Sequence, residues 1–285
     1  MRLLILILCM LGLTGMGYLT AKTWGESQSY VPFDHPLLNE KSKLFLVEIE
    51  TIEEAKALNN EGDEVVFVLP VRMTIDGQIV VLKESTWQKI QQTPKFQELP
   101  KKATQGRSKI QYFRAEELLD LYPAIHNLEG FLQSFPQRQF VFQITDSVEN
   151  IHKNVLEIVG KELPKGAIAV ASPIEAVVKS IKNIRPLTAF SLSQAEQIRL
   201  LSFDSIGLVS IMQIDGDFIF SDLTWKSRPL ISKGLVTELH RRRKKVFVGP
   251  ISSEEQFNQA QSLDVDGIIV PDTLAYQNLK KLILF

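Results

Sequence analysis

The sequence predicts an α/β fold, a (β/α)8 (TIM) barrel preceded by an N-terminal hydrophobic helix, and three observations carry that expectation. From residue 44 onward, short apolar runs alternate with amphipathic helical stretches, the pattern of a parallel sheet covered by helices. About eight such runs fall within roughly 240 residues, which suits a closed barrel better than an open doubly wound sheet. No Gly-rich phosphate loop opens any of the helices, which argues against a dinucleotide-binding fold.

Residues 1–22, MRLLILILCMLGLTGMGYLTAK, carry Arg2 and then an uncharged run from Leu3 to Ala21, about the length an α-helix needs to cross a bilayer. The segment is expected to be a membrane anchor or a signal sequence. Ala21 has the bulky Leu19 two places before it, a poor cleavage site that favours an uncleaved anchor. With Arg2 on the cytoplasmic side, the remainder would face the periplasm or the extracellular space, and it would be secreted if the segment is cleaved. Residues 23–42 contain Pro32 and Pro36 and no helical period, so they read as a linker. The barrel domain is expected over 43–285.

Its elements follow in order. LFLVEIE (44–50) is a strand, and TIEEAKALNNEG is the helix after it. EVVFVLPV (64–71) and QIVVLK (78–83) flank an Asp76-Gly77 turn, and QFVFQIT (139–145) follows the helical NLEGFLQSF. GAIAVAS (166–172) leads into PIEAVVKSIKNI, and PLTAFSL (186–192) into SQAEQIRLLSF. The next strand is either IGLVSIMQI (206–214) or DFIFSD (217–222). LVTELHRRRKK, VFVGPI (246–251), SEEQFNQAQSL, DGIIV (266–270) and TLAYQNLKKLILF complete the series.

The chain has 32 basic and 33 acidic residues, so no global field recruits nucleic acid. The only cysteine, Cys9, lies in the N-terminal apolar run, which removes disulfides, Cys-rich metal sites and thiol nucleophiles from the barrel. None of the four histidines, His35, His126, His152 and His240, falls at a strand end, which argues against a catalytic histidine pair. The basic run Arg241 to Lys245 ends a helix, where cations complement the helix dipole, and it reads as a solvated face, with anionic lipid headgroups as the alternative contact.

In a barrel of this type the working residues sit at the C-terminal ends of the strands. Those ends carry Glu48 and Glu50, Val68 and Pro70, Lys83, Gln143 and Thr145, Ser172, Ser191, Asp215 or Asp222, Pro250 and Asp272. Glu48 and Glu50 are two apart, hence on one face of the first strand, and that face is the barrel interior if Leu44 and Leu46 point inward. Two uses are open to this pair. One is a replacement metal or anion-responsive site with Asp146 or Asp272; the other is an ion pair from one of them to Lys83, with the second solvated.

Five phrases in this order resemble the glycerophosphodiester phosphodiesterase family. VRMTIDGQIVVLKE (71–84) is similar to its strand, T-x-D-G turn and strand ending in His-Asp. TQGRSKIQYFRAEELLDL (104–121) is similar to its T-G-x-V-x-x-L-T-x-x-E-L passage, and IHNLEGFLQSFPQRQFVFQIT (125–145) to its helix running into a strand that ends in glutamate. VVKSIKNIRP (177–186) and the stretch from LVTELHRRRKKVFV to DVDGIIVPD (235–272) match the last half of the barrel.

The resemblance implies a divalent cation held by carboxylates and two histidines as general acid and base. This sequence departs from that pattern at every catalytic position. The His-Arg-Gly loop after the first strand is missing; the two metal carboxylates of the second strand fall on Val68 and Pro70; the second histidine falls on Lys83. The metal glutamate of the strand at 139–145 falls on Gln143, and the phosphate-contacting lysine on Thr145. Valine and proline side chains offer no lone pair to a hard cation, and a neutral amide is a poor substitute for a carboxylate. A lysine ammonium stays protonated near neutrality and cannot alternate as acid and base, though it can hold a phosphate as a point charge.

The expectation is therefore a membrane-anchored domain of this family without hydrolytic activity, needing no cofactor. It would bind a phospholipid headgroup, a glycerophosphodiester or a protein partner, with Lys83, Glu48, Glu50 and Asp272 as the candidate ligand-binding residues. The alternative is an active phosphoric diester hydrolase with a rebuilt site around one divalent cation, Mg²⁺ or Ca²⁺.

Overall fold

The computed structural model describes residues 2–39, 42–62, 64–98, 109–163, 168–225 and 228–283. Residues 104–108 of the second family-like phrase and 166–167 of GAIAVAS lie outside the described residues. The strands are β1 (Leu44–Glu48), β2 (Val65–Met73), β3 (Ile79–Val81), β4 (His126–Asn127), β5 (Phe140–Ile144), β6 (Ile168–Ala171), β7 (Ala189–Phe190), β8 (Phe218–Ser221), β9 (Thr224–Trp225), β10 (Arg228–Pro229), β11 (Lys245–Val248) and β12 (Gly267–Val270). Eight of them form a parallel barrel in the order β7-β6-β5-β2-β1-β12-β11-β8. A parallel bridge between Ser191 and Phe218 joins the two ends, supported by Leu192 N–H donating to Phe218 O at 2.8 Å and Asp217 N–H to Phe190 O at 2.7 Å.

The period-two pleat sorts each strand into two cores. Leu44, Leu46, Val66, Val68, Val141, Ala169, Ala171, Ala189, Phe218, Phe247 and Ile269 fill the barrel interior, large rings against small alanines. Phe45, Val47, Phe67, Leu69, Phe142 and Val170 face the helices. Both layers are buried, so the strands read as continuous apolar runs. Leu44 and Leu46 do point inward, which places Glu48 on the interior face at the mouth.

One strand expectation changes, and one pair of alternatives is resolved. QIVVLK is not a barrel strand: β3 pairs antiparallel with the end of β2 and with β4, above the rim. The Asp76-Gly77 turn reverses the chain there, with Gly77 at φ 76°, a conformation a side chain resists. The chain then makes an excursion with its own small core around Trp87, Ile110, Phe113 and Leu118. IGLVSIMQI is not a strand either; only a 3₁₀ turn (Val209–Ile211) forms there, and DFIFSD supplies β8.

The N-terminal helix α1 runs from Arg2 to Glu26. The side chains of residues 2–9, part of the run expected to span a membrane, lie outside the described set. Among the described residues no helix is long and apolar enough to cross a membrane. Among the described residues of the stretch expected as a linker, Gly25, His35 and Leu37 are buried. A Cβ on Gly25 would lie 2.5 Å from the Ser210 carbonyl carbon, so only glycine permits this approach. The Arg241 guanidinium donates to the carbonyls of Gly25, Glu26 and Gln28 at 3.1, 3.0 and 3.0 Å, and Tyr30 lies against both Arg241 and Arg242. Beyond it, helix α2 (Pro36–Asn39) inserts Leu37, 2% exposed, into the barrel floor. The basic run is thus not a solvated face. Arg242 is buried on the carbonyls of Val209 and Met212, His240 and Lys245 share Asp266, and Lys244 faces Asp217.

Candidate functional site

At the C-terminal ends of the barrel strands lies a cavity of about 220 Å³. Glu48 enters it from β1, Gln143 and Thr145 from the end of β5, Ser172 from β6, Ser191 from β7, and Ser221 and Asp222 from β8. Phe220, Pro250 and Ile269 supply apolar wall. Burial holds the Glu48 carboxyl above its ordinary range; Lys83 opposes this, while the nearby carboxylates of Glu50 and Asp272 add to it. Burial likewise raises Asp222.

The predicted residues divide into two groups. Glu48, Gln143 and Thr145 meet at the cavity. Glu50, Lys83 and Asp272 are committed to the protein itself. Glu50, 7% exposed, accepts the Lys83 backbone N–H at 3.0 Å and the Thr86 hydroxyl at 2.6 Å. The Lys83 ammonium donates to the Pro271 carbonyl at 3.0 Å and pairs with Glu54 at 3.6 Å. The expected ion pair to Glu48 or Glu50 is therefore replaced by one to Glu54, on the helix α3 (Ile52–Leu58) that follows β1 directly. Asp272 accepts the Ala275 N–H at 2.8 Å and so caps the helix Thr273–Ile283. Val68 lies in register between Glu48 and Val141, fully buried in the barrel interior. Pro70 is buried opposite Gln143, and its carbonyl accepts Leu82 N–H at 2.9 Å.

Sequence reasoning missed Arg72. It is 7% exposed near the end of β2, and its guanidinium holds Asp146 at 3.0 Å, Glu84 at 2.6 Å and the Leu82 carbonyl at 3.2 Å. An arginine inside the apolar run VVFVLPVRM was the available signal, because a buried guanidinium demands acidic partners. The clamp removes Asp146 from any cation site.

This donor set does not fit a hard divalent cation. Val68 and Pro70 lack side-chain lone pairs, and Asp146, Glu50 and Asp272 are spent on Arg72, Thr86 and a helix N-terminus. Among the described residues no three Asp, Glu, His or Cys side chains converge as a metal would require.

No family model matches the sequence, and no curated protein is a significant relative. Solved structures are similar at the level of fold. A protein from Galdieria sulphuraria assigned as a glycerophosphodiester phosphodiesterase aligns at 16% identity with a TM-score of 0.61, over 89% of this chain and 99% of that one. The glycerophosphodiester phosphodiesterase of Thermotoga maritima aligns at 16% identity and 0.56, over 85% and 100%. A phosphodiesterase of Oleispira antarctica, solved with its product sn-glycerol-3-phosphate, aligns at 11% identity and 0.56, over 83% and 96%. The chain has the barrel fold of the glycerophosphodiester phosphodiesterases.

Proposed function

We propose that the chain is a divergent domain of the glycerophosphodiester phosphodiesterase family that binds a ligand at the barrel mouth without hydrolysing a phosphodiester. The motif order in the sequence and the fold of the solved enzymes support the family. One observation carries the rest: at the strand ends where a cation would be held, Val68 and Pro70 are buried apolar residues, and the nearby Glu50, Asp146 and Asp272 already serve protein donors. The glycerol phosphate bound by the Oleispira enzyme supports a glycerophosphodiester headgroup as the ligand type. Lys83 is the weaker part of that reading, because its ammonium is already held by Pro271 and Glu54.

The same proposal keeps residues 1–22 as the attachment to a membrane, with the barrel on its periplasmic or extracellular side. Its support is the uncharged run from Leu3 to Ala21. Carbonate washing of membranes, with and without residues 2–22, tests it; a barrel in the soluble fraction in both cases removes the attachment. Hydrolysis is tested on the full chain with a glycerophosphodiester and Mg²⁺, Ca²⁺ or Mn²⁺. No turnover above the blank is expected. Turnover that Glu48→Ala abolishes overturns the reading in favour of a rebuilt hydrolase.

A further inference from the structure

We propose that the mouth cavity recognises a neutral, polyhydroxylated molecule the size of one small ring, a monosaccharide or cyclitol, and rejects a phosphate group. This rests on the reading of the mouth as a non-hydrolytic ligand site, and puts a neutral molecule in place of the phosphorylated headgroup as its ligand.

The argument is an inventory of unmet hydrogen-bonding capacity. Ser172 and Ser191 line the cavity at 2% and 1% exposure. The Ser191 hydroxyl oxygen accepts the Ser172 N–H at 3.1 Å, and the Ser172 hydroxyl oxygen accepts the Ile174 N–H at 3.2 Å. Each oxygen is thus used as an acceptor, while neither hydroxyl proton has an acceptor among the described residues. Buried donors of this kind are normally satisfied, so the occupant must offer lone pairs. Glu48 poses the opposite demand. Neither its carboxylate nor that of Asp222 has a hydrogen-bond donor or an ion-pair partner among the described residues; Asp222 is exposed to water, and it is the half-buried Glu48 that calls on the occupant for protons.

Only some chemistries meet both demands within one compact volume. A phosphate accepts but does not donate, and two carboxylates with no cation among the described lining residues repel it. An ammonium donates but cannot accept from Ser172 and Ser191. A hydroxyl does both, and neighbouring hydroxyls on a ring do so at several points. Gln143, whose amide donates and accepts, extends the same pattern. The volume of about 220 Å³ corresponds to about seven waters at about 30 Å³ each, the scale of one small ring. The half-buried Phe220 offers a face for the C–H side of such a ring.

The test uses the full chain and four probes, myo-inositol, glucose, inorganic phosphate and sn-glycerol-3-phosphate, read by calorimetry and thermal shift. One or both neutral probes are expected to bind saturably with a Kd on the order of millimolar or tighter, and both anions at least about tenfold more weakly. Glu48→Gln keeps the shape and removes the charge. It should weaken the neutral probe by about tenfold, the worth of one hydrogen bond to a charged group, and narrow the gap to the anions. Asp222→Asn, at a more exposed position, is the second variant should Glu48→Gln fail to fold. Failure of both neutral probes to bind overturns the inference, as does neutral binding that both variants leave unchanged. Tighter binding of glycerol phosphate without turnover overturns it too, while leaving non-hydrolytic binding at the mouth intact; only turnover sinks that broader reading.

Discussion

Glu50→Ala separates a structural carboxylate from a site carboxylate. Glu50 leaves the end of β1 and reaches the start of helix α4 (Glu84–Gln91), where it takes the backbone N–H of Lys83 and the hydroxyl of Thr86. The Lys83 side chain does not cap this helix, so Glu50 supplies the anion its N-terminus favours from across the barrel rim. Two hydrogen bonds to a charged acceptor contribute about 1.5–3 kcal/mol each, about 3–6 kcal/mol together. Alanine also removes an anion whose burial was itself unfavourable, so the net loss should lie near the lower end, about 3 kcal/mol. Urea unfolding should show a lower midpoint with an unchanged slope, and Tm should fall by roughly 6–12 °C. Thr86→Val should cost less, and the double variant should be distinctly less damaged than the sum, because both changes remove the same bond. A loss below about 0.5 kcal/mol, strict additivity, or a divalent cation that raises Tm in the parent but not in Glu50→Ala refutes the structural assignment.

Three further outcomes follow from the packed N-terminal segment. Leu37→Ala opens the barrel floor and should cost about 2–5 kcal/mol by chemical unfolding, since the leucine is fully enclosed by interior residues. Arg241→Ala removes three bonds to the carbonyls of 25–28 and should expose that stretch to protease while the barrel stays protected; unchanged cleavage would count against the clamp. His35 donates from Nε2 to Ile168 O at 2.9 Å and accepts the Leu37 N–H on Nδ1 at 3.2 Å, an arrangement open only to the neutral ring. Burial lowers its pKa below the ordinary 6.5, with the Ile168 carbonyl and Asp34 opposing, so the stability it contributes is present above pH 6.5 and lost as pH falls below it. Protection factors for residues 33–39, taken against the intrinsic exchange rate at each pH, should therefore fall below about pH 6.5, and His35→Gln should flatten that dependence.

The barrel was legible because its signal is repeated and local: each strand run is bounded by a helical stretch, and the period-two pleat puts Leu44, Leu46 and Glu48 on one face, which closure then turns inward. The mouth was legible only as a set of strand ends. That Glu48, Gln143 and Thr145 share a cavity follows from closure. That Glu50 and Asp272 instead serve helix N-termini depends on where α4 and the last helix begin, which the strand pattern does not specify. Arg72, Asp146 and Glu84 are 74 and 12 residues apart along the chain, and only the Asp76-Gly77 hairpin and the return of β5 bring them together. The floor was not legible for the same reason: prolines and polar residues in 23–42 signal irregular backbone, and irregular backbone can still carry one Leu37 into a core.

The positions to which the family resemblance assigns metal ligands have roles in packing here. Val68, level with Val141, adds a layer of interior packing above the paired Leu46 and Val66. Where the His-Arg-Gly loop would stand, β1 passes almost at once into α3, and the short connection brings Glu54 to Lys83 while Thr51 and Glu54 form a capping box. Lys83 then ties α3 to the Pro271 carbonyl beyond β12, across the seam beside β1. Introducing Val68→Glu and Pro70→Asp alone should therefore destabilise the protein rather than create a site, because each new carboxylate would be buried without a cation and without the donors already given to Glu50 and Asp272. A double variant that folds as well as the parent and gains Mg²⁺-dependent stabilisation would show that these strand ends can hold a cation.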